Sequence, residues 1–377
     1  MAIQVRRPLL NPILVREART RMRGIRPYLM LTIFLLLLIG SALGIYQYMN
    51  SQARTGMVVL SSHIGQALFR GLAFVEMLFI VLVAPALTSG AISSERERLT
   101  YDMLLATPLR PGQMLTGKLI GALSYLLLLI FASIPVFSTV LIFGGVELRI
   151  LVWIMLLLGS AALFFGTIGL FCSSLFRRTT TATIASYTIV LLLCSVPLLI
   201  ASVWQQFSNP MGQSPPPWLL YLNPLSAIVA VTTVIPASTL PDVPFFDIYD
   251  PFMVVPFLSQ FNVGIVRYTP EGPVLMPVYR ATLLGYWLLT FVLLWISSHC
   301  ALPTRRWWPR WSDLGFAAAV GAIALLIWWR IDWWWIVPPV DPWLVKPMPM
   351  PVDPMPMPVD PMPMPVDPMP MPVEPQP

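Results

Sequence analysis

The sequence contains little charge for its length. Asp, Glu, Lys and Arg make up 11% of its 377 residues, whereas soluble domains carry about 25%. Hydrophobic residues account for 57% of the chain, and the mean hydropathy is +0.75. This balance excludes a soluble globular domain and predicts a polytopic membrane protein.

Histidine and cysteine are also scarce, and neither occurs in a known catalytic or metal-binding pattern. His63 and His299 stand alone, without a His-Glu-x-x-His helix. Cys172, Cys194 and Cys300 lie in or beside apolar runs without CxxC spacing, as expected of small buried hydrophobic residues. We therefore expect no metal site, no cofactor and no catalytic residue in this chain.

A complete nucleotide-binding loop is missing as well. That motif needs Gly-x-x-x-x-Gly-Lys followed by Ser or Thr, whose hydroxyl binds magnesium. The stretch Gly112–Lys118 has the glycines and the lysine, but Leu119 follows and no buried strand precedes it. The chain is therefore not expected to hydrolyse ATP.

Six apolar runs are long enough to cross a hydrocarbon core of about 30 Å, which takes about 20 helical residues. They are Tyr28–Met49, Gln66–Ala86, Leu119–Phe143, Ile150–Phe176, Ala182–Trp204 and Tyr279–Cys300. A shorter run, Leu314–Trp329, could span the bilayer or lie at its interface, where Trp is enriched. The predicted fold is all-α, with six transmembrane helices and a possible seventh.

The distribution of basic residues predicts the orientation, because Lys and Arg near helix ends stay on the cytoplasmic side. Residues 1–27 carry seven arginines against Glu17 alone, so the N-terminus should be cytoplasmic. Alternation then places three further basic segments on the same side: residues 93–118, Arg177–Arg178 and Arg305–Arg310. The net charge of +6 needs no nucleic-acid partner.

The predicted organisation follows from these spans. A basic arm (1–27) precedes a six-helix domain (28–304), and a basic segment with the possible seventh helix (305–337) precedes a tail (338–377). The tail repeats Pro-Met-Pro-Met-Pro-Val-Asp, which predicts a disordered, polyproline-like extension. It could be a spacer, a docking ligand or a neutral repeat expansion.

Residues 205–278 form the long extracytoplasmic segment. They are rich in proline and include an apolar stretch, Trp218–Pro236, that is interrupted at Asn223–Pro224. Because proline breaks a helix, we expect short re-entrant or interfacial helices here rather than another span.

A charged, amphipathic island lies at residues 93–118, between the second and third spans. Ser93–Glu95 offers caps and an acidic first turn, whereas Pro108 and Pro111 interrupt the helix. The expected apolar face consists of Leu99, Met103, Leu104 and Leu105. The charged side chains are expected to be exposed on the far side: Glu95, Arg96, Glu97, Arg98 and Asp102. Such a projection could transmit force from a bound protein, or could be a solvated connection.

Glu76 is the one carboxylate placed well inside a predicted span. Ionisable groups at such depth cost a few kcal/mol or more and usually face a cavity or a partner. We expect Glu76 to line a translocation path or a subunit interface. Alternatively, the second span starts later and Glu76 lies in a water-filled vestibule.

Two cytoplasmic segments resemble the membrane subunits of type-2 ABC exporters. One is the run Asn11–Glu17 followed by arginines, and the other is Ile92–Arg98 leading to Asp102 and Pro108. Members of that family have six spans, an N-terminal interfacial helix and a coupling helix that docks on the ATPase. Many have Gly-Thr after the charged run, where this chain has Leu99-Thr100.

The resemblance assigns residues to two of these elements. The ATPase-coupling interface would contain Glu95, Arg96, Glu97, Arg98, Asp102, Leu104, Leu105 and Pro108. The interfacial helix would contain Asn11, Arg16 and Glu17.

The resemblance also implies the biological context. The chain would be a multi-pass permease subunit in the inner (cytoplasmic) membrane, paired with a second permease chain as a homodimer or heterodimer. A separate ABC ATPase would bind ATP and magnesium and drive export. A membrane anchor or mechanical component of a cell-envelope assembly complex is the alternative. A secondary transporter is less favoured, since no internal repeat is evident.

Overall fold

A computed structural model describes residues 24–54, 61–99, 111–208, 221–233, 266–269, 272–275 and 278–300, with Ala318, Gly321 and Ala322. All of them belong to the unit Met1–Pro338. The helices are α1 (Arg26–Arg54), α2 (Ser61–Thr88), α3 (Ser93–Glu97), α4 (Pro111–Leu141), α5 (Leu148–Leu175), α6 (Thr179–Ser208), α7 (Pro224–Thr233) and α8 (Val278–Cys300). Two strands, β1 (Val266–Thr269) and β2 (Gly272–Leu275), lie between α7 and α8.

The six predicted spans are confirmed. Helices α1, α2, α4, α5, α6 and α8 are each long and apolar enough to cross a membrane. Helix α2 starts at Ser61, before the predicted Gln66, so Glu76 lies near the middle of the span. The seventh run, Leu314–Trp329, lies outside the described residues except for three of them, and the tail at 338–377 lies wholly outside.

Helix α5 is at the centre of the bundle. It packs against α2, α4, α6, α7 and α8, and most of its residues are buried. Packing between helices in lipid depends on close van der Waals fit, which small residues permit. A Cβ atom on Gly169 would lie 2.9 Å from Pro85 O and 3.1 Å from Pro85 Cα. Gly169 therefore allows α5 to approach α2 closely near the C-terminal end of α5.

The outer spans are held less tightly than α5. Only 11% of the apolar window of α1 and 28% of that of α6 are buried within the chain. Large apolar side chains cover their remaining surfaces, including Leu36 on α1 and Leu191 on α6. In a bilayer, lipid tails can cover such surfaces.

The segment predicted to be extracytoplasmic contains a short helix at the predicted break. Asn223 Oδ1 accepts a hydrogen bond from Leu225 N at 2.9 Å, and Asn223 Nδ2 donates to Cys194 O of α6 at 2.9 Å. Asn223 thus starts α7 and fixes it to a span. This confirms a short helix, and α7 packs against α2, α5 and α8.

One described element departs from the predicted all-α fold. Strands β1 and β2 pair as an antiparallel hairpin in which Val266 lies opposite Leu275 and Thr269 opposite Gly272. It lies within the segment for which only short helices were predicted. Apart from this hairpin, the described fold is helical.

Substituting Gly169 tests the close contact between α2 and α5. Gly169→Ala should lower the free energy of unfolding by about 1–3 kcal/mol, because the new methyl group overlaps Pro85 and the Thr88 side chain. Gly159→Ala is the matched control on the same helix, since nothing lies within 4 Å of a Cβ there. Thermal unfolding of both variants in detergent should show a loss for Gly169→Ala alone. Equal unfolding temperatures would contradict the close contact.

Candidate functional site

The turn after α2 is held by a serine of another span. The hydroxyls of Ser93 and Ser94 bond backward to carbonyls of the preceding turn, and neither caps α3. Instead, Ser173 Oγ in α5 accepts hydrogen bonds from Ile92 N at 2.9 Å and Ser93 N at 3.0 Å. The predicted local cap is therefore wrong, because the free amides of this turn are satisfied from α5.

Glu95 pairs with a lysine at the start of the third span. Lys118 Nζ lies 2.5 Å from Glu95 Oε1 and 2.8 Å from Ala91 O. The Lys118 side chain is 4% exposed and that of Glu95 is 23% exposed. The expectation that Glu95 is exposed on the far side is thus wrong. Lys118, the lysine of the incomplete nucleotide-binding motif Gly112–Lys118, therefore lies in helix α4 and joins it to α3 and to the turn before α3.

Arg96 and Glu97 contact the ends of three further spans. Arg96 Nη1 donates to Ser174 O of α5 at 2.9 Å, and Arg96 Nη2 lies 3.5 Å from Cys300 O of α8. Thr179 at the start of α6 donates to the Glu97 carboxylate from its backbone N at 2.8 Å and from Oγ1 at 3.1 Å. These side chains were also predicted to point away from the bundle. Both instead contact the spans, although Glu97 remains exposed.

The residues beyond Glu97 are turned outward. Arg98 is exposed, and Leu99 is 83% exposed with a left-handed backbone at φ 55°. A left-handed residue cannot continue an α-helix, so α3 ends at Glu97, well before Pro108. Glycine adopts this conformation without strain, whereas leucine does so at a cost.

We call Ser93–Leu99 the knob. Its inner part is fixed to α4, α5, α6 and α8, and its outer part is Arg98 and Leu99. The other predicted residues of the two cytoplasmic elements lie outside the described residues: Asp102, Leu104, Leu105, Pro108, Asn11, Arg16 and Glu17.

Glu76 is buried between α2 and α4. Its side chain has no exposed surface, and Glu76 Oε1 lies 2.9 Å from Ser133 Oγ. Ser133 Oγ also lies 2.7 Å from Ile130 O, so these two contacts share one hydroxyl hydrogen. A neutral Glu76 carboxyl can supply the second hydrogen. Glu76 thus joins two spans within the chain, and its place at a pathway or subunit interface stays a prediction.

Sequence reasoning missed three polar partners in the spans: Ser133, Ser173 and Thr179. Each lies in an apolar helix, where serine and threonine usually bond to their own backbone. The adjacent pair Ser173–Ser174 at the end of a very apolar span is the one local signal. It indicates a polar contact without naming the partner.

A family comparison agrees with this architecture. The model of the family described as "ABC-2 family transporter protein" matches residues 12–298, which include all six spans almost completely and the whole knob. The chain belongs to the ABC-2 transporter family. This ABC-2 chain is therefore a multi-pass membrane permease of an ABC transporter, and the family implies an ABC ATPase as its partner. No curated protein matches the sequence.

The ion pair between Lys118 and Glu95 should stabilise the folded permease. Lys118→Met should lower the free energy of unfolding by about 1–3 kcal/mol, because it removes a buried cation from a partly buried carboxylate. Arg149→Met is the control, since Arg149 lies 3.8 Å from Glu147 with both side chains at least half exposed. Thermal unfolding of this ABC-2 chain should distinguish them, and equal losses would contradict a specific role for Lys118.

The contact between Glu76 and Ser133 makes a second prediction for the ABC-2 chain. Glu76→Gln should leave the unfolding temperature unchanged, because a neutral amide can also donate to Ser133 Oγ. Ser133→Ala should lower the free energy of unfolding by about 1–3 kcal/mol, since it leaves a buried polar group without this partner. Unfolding curves of the two variants test this directly. A loss for Glu76→Gln as large as that for Ser133→Ala would show that the charge itself is required.

Proposed function

We propose that this chain is the membrane permease of an ATP-driven exporter, working with a separate ABC ATPase that binds ATP and magnesium. A second permease chain, identical or different, completes the translocation unit in the inner (cytoplasmic) membrane. The proposal rests on family membership and on the knob, whose inner charges are used within the permease and whose tip is exposed. The knob is the part of the described chain best suited to receive the ATPase.

The shape of the knob supports this role. A short helix that is hydrogen-bonded at its base and ends in an exposed leucine presents a fixed apolar contact, as coupling to a soluble partner requires. Arg98 adds a positive charge beside Leu99. Arginine is enriched at protein–protein interfaces, and a bound partner would remove the Leu99 side chain from water.

Affinity purification of the tagged chain in mild detergent tests the proposal. The wild-type chain should recover an ABC ATPase, and Arg98→Glu or Leu99→Asp should reduce that recovery at least tenfold. These residues are preferable to Glu95 or Glu97, whose substitution would also disturb contacts within the permease.

Arg149→Glu is the matched control, because Arg149 is exposed at the start of α5, at the opposite end of that helix from the knob. It should recover the ATPase as well as the wild type does. Equal recovery from all variants would remove the knob tip as the contact. Failure of the wild-type chain to recover an ATPase in several mild detergents would contradict the function.

A further inference from the structure

Two charges of the knob contact helix ends rather than leaving the bundle. We propose that Arg96 and Glu97 form a clamp inside the permease, which passes displacement of the knob to α5, α6 and α8. This inference rests on the proposed function, because the displacement would come from the bound ATPase. It assigns to both residues a positioning role within the permease, in place of direct contact with the ATPase.

The clamp matches each charge to a helix end. The last carbonyls of a helix carry partial negative charge and the first amides carry partial positive charge. Arg96 lies at the C-terminal carbonyls Ser174 O and Cys300 O, whereas Glu97 lies at the N-terminal amide of Thr179. The positive charge of Arg96 thus lies at helix C-termini and the negative charge of Glu97 lies at a helix N-terminus, so each charge is opposite in sign to the helix end that it contacts.

The base of the knob is also fixed, so the clamp and the knob should move together. Ser173 Oγ accepts from the amides of Ile92 and Ser93, while Lys118 joins Glu95 to the turn. One turn into α6, Thr183 Oγ1 lies 3.0 Å from Ser89 Oγ. The start of α6 is thus bonded at two places to the segment that carries the knob.

Among the helices at the clamp, α6 combines sparse burial with direct bonding of its first residue. Only 28% of its apolar window is buried, so lateral packing resists its movement less than that of α5. Its N-terminus, in contrast, is bonded through Thr179 to Glu97. A helix that is loosely packed along its length but bonded at one end can follow a displacement of that end.

The first experiment measures the contact in the permease chain alone. Glu97→Ala and Thr179→Val should each lower the unfolding temperature by about 2 °C or more, and the double variant should lose clearly less than the sum. Glu147→Ala is the matched control: Glu147 is the residue before α5 and its carboxylate makes no capping bond, whereas the carboxylate of Glu97 accepts from the first residue of α6. Additive losses for Glu97→Ala and Thr179→Val would overturn the clamp.

The second experiment uses the complex with the ATPase. Spin labels at the exposed positions Leu191 on α6 and Phe131 on α4 report the distance between these helices. The labels require a background in which the three native cysteines are replaced. Adding ATP should change this distance in the wild type, and Glu97→Ala or Arg96→Ala should reduce the change at least twofold while the ATPase remains bound.

The outcomes separate the clamp from the function on which it rests. Loss of the ATPase from the Glu97→Ala complex would make Glu97 a contact residue and overturn the clamp. An undiminished distance change in both variants would overturn it too. If the wild-type chain recovers no ATPase, the proposed function fails, and the double-variant cycle still decides whether Glu97 and Thr179 are coupled.

Discussion

The backbone groups left unpaired at the ends of the spans are the constraint on which the end of the bundle that carries the knob depends. A helix cannot pair its own first amides and last carbonyls, and burying such groups without a partner is costly. Here Ser173, Arg96 and Glu97 each satisfy groups at the ends of other elements. The charged run after the second span therefore closes the end of the helix bundle by pairing these backbone groups.

That closure requires α2 and α5 to be close. Ser173 reaches the amides of Ile92 and Ser93 because Gly169, one turn earlier on α5, lets Pro85 of α2 approach the helix backbone. Lipid tails are as apolar as these side chains, so moving a side chain from lipid into a helix interface gains little. Close van der Waals packing therefore replaces the hydrophobic effect as the force between the helices. A small residue in a span and a polar contact at its end are thus two parts of one packing arrangement.

The sequence predicts the spans well because hydropathy and length reflect the bilayer directly. The predicted last span, Tyr279–Cys300, matches the structural one, and the Asn223–Pro224 break correctly marks a short helix. Contacts of the knob could not be predicted, because the partners of Arg96 lie 78 and 204 residues away in the chain. The predicted end of α3 at Pro108 was also wrong, because a sequence shows where proline lies but does not show that Leu99 adopts a positive φ.

Leu99 is unusual both in its backbone conformation and in its exposure. A left-handed leucine costs about 1–2 kcal/mol relative to the helical conformation, a cost that glycine avoids. Its side chain is 83% exposed, so packing within the described chain offsets little of that cost. The same backbone conformation follows the end of α3 and leaves a large apolar side chain exposed. A strained, exposed leucine at this position fits the proposed contact with the ATPase, which would bury its apolar surface.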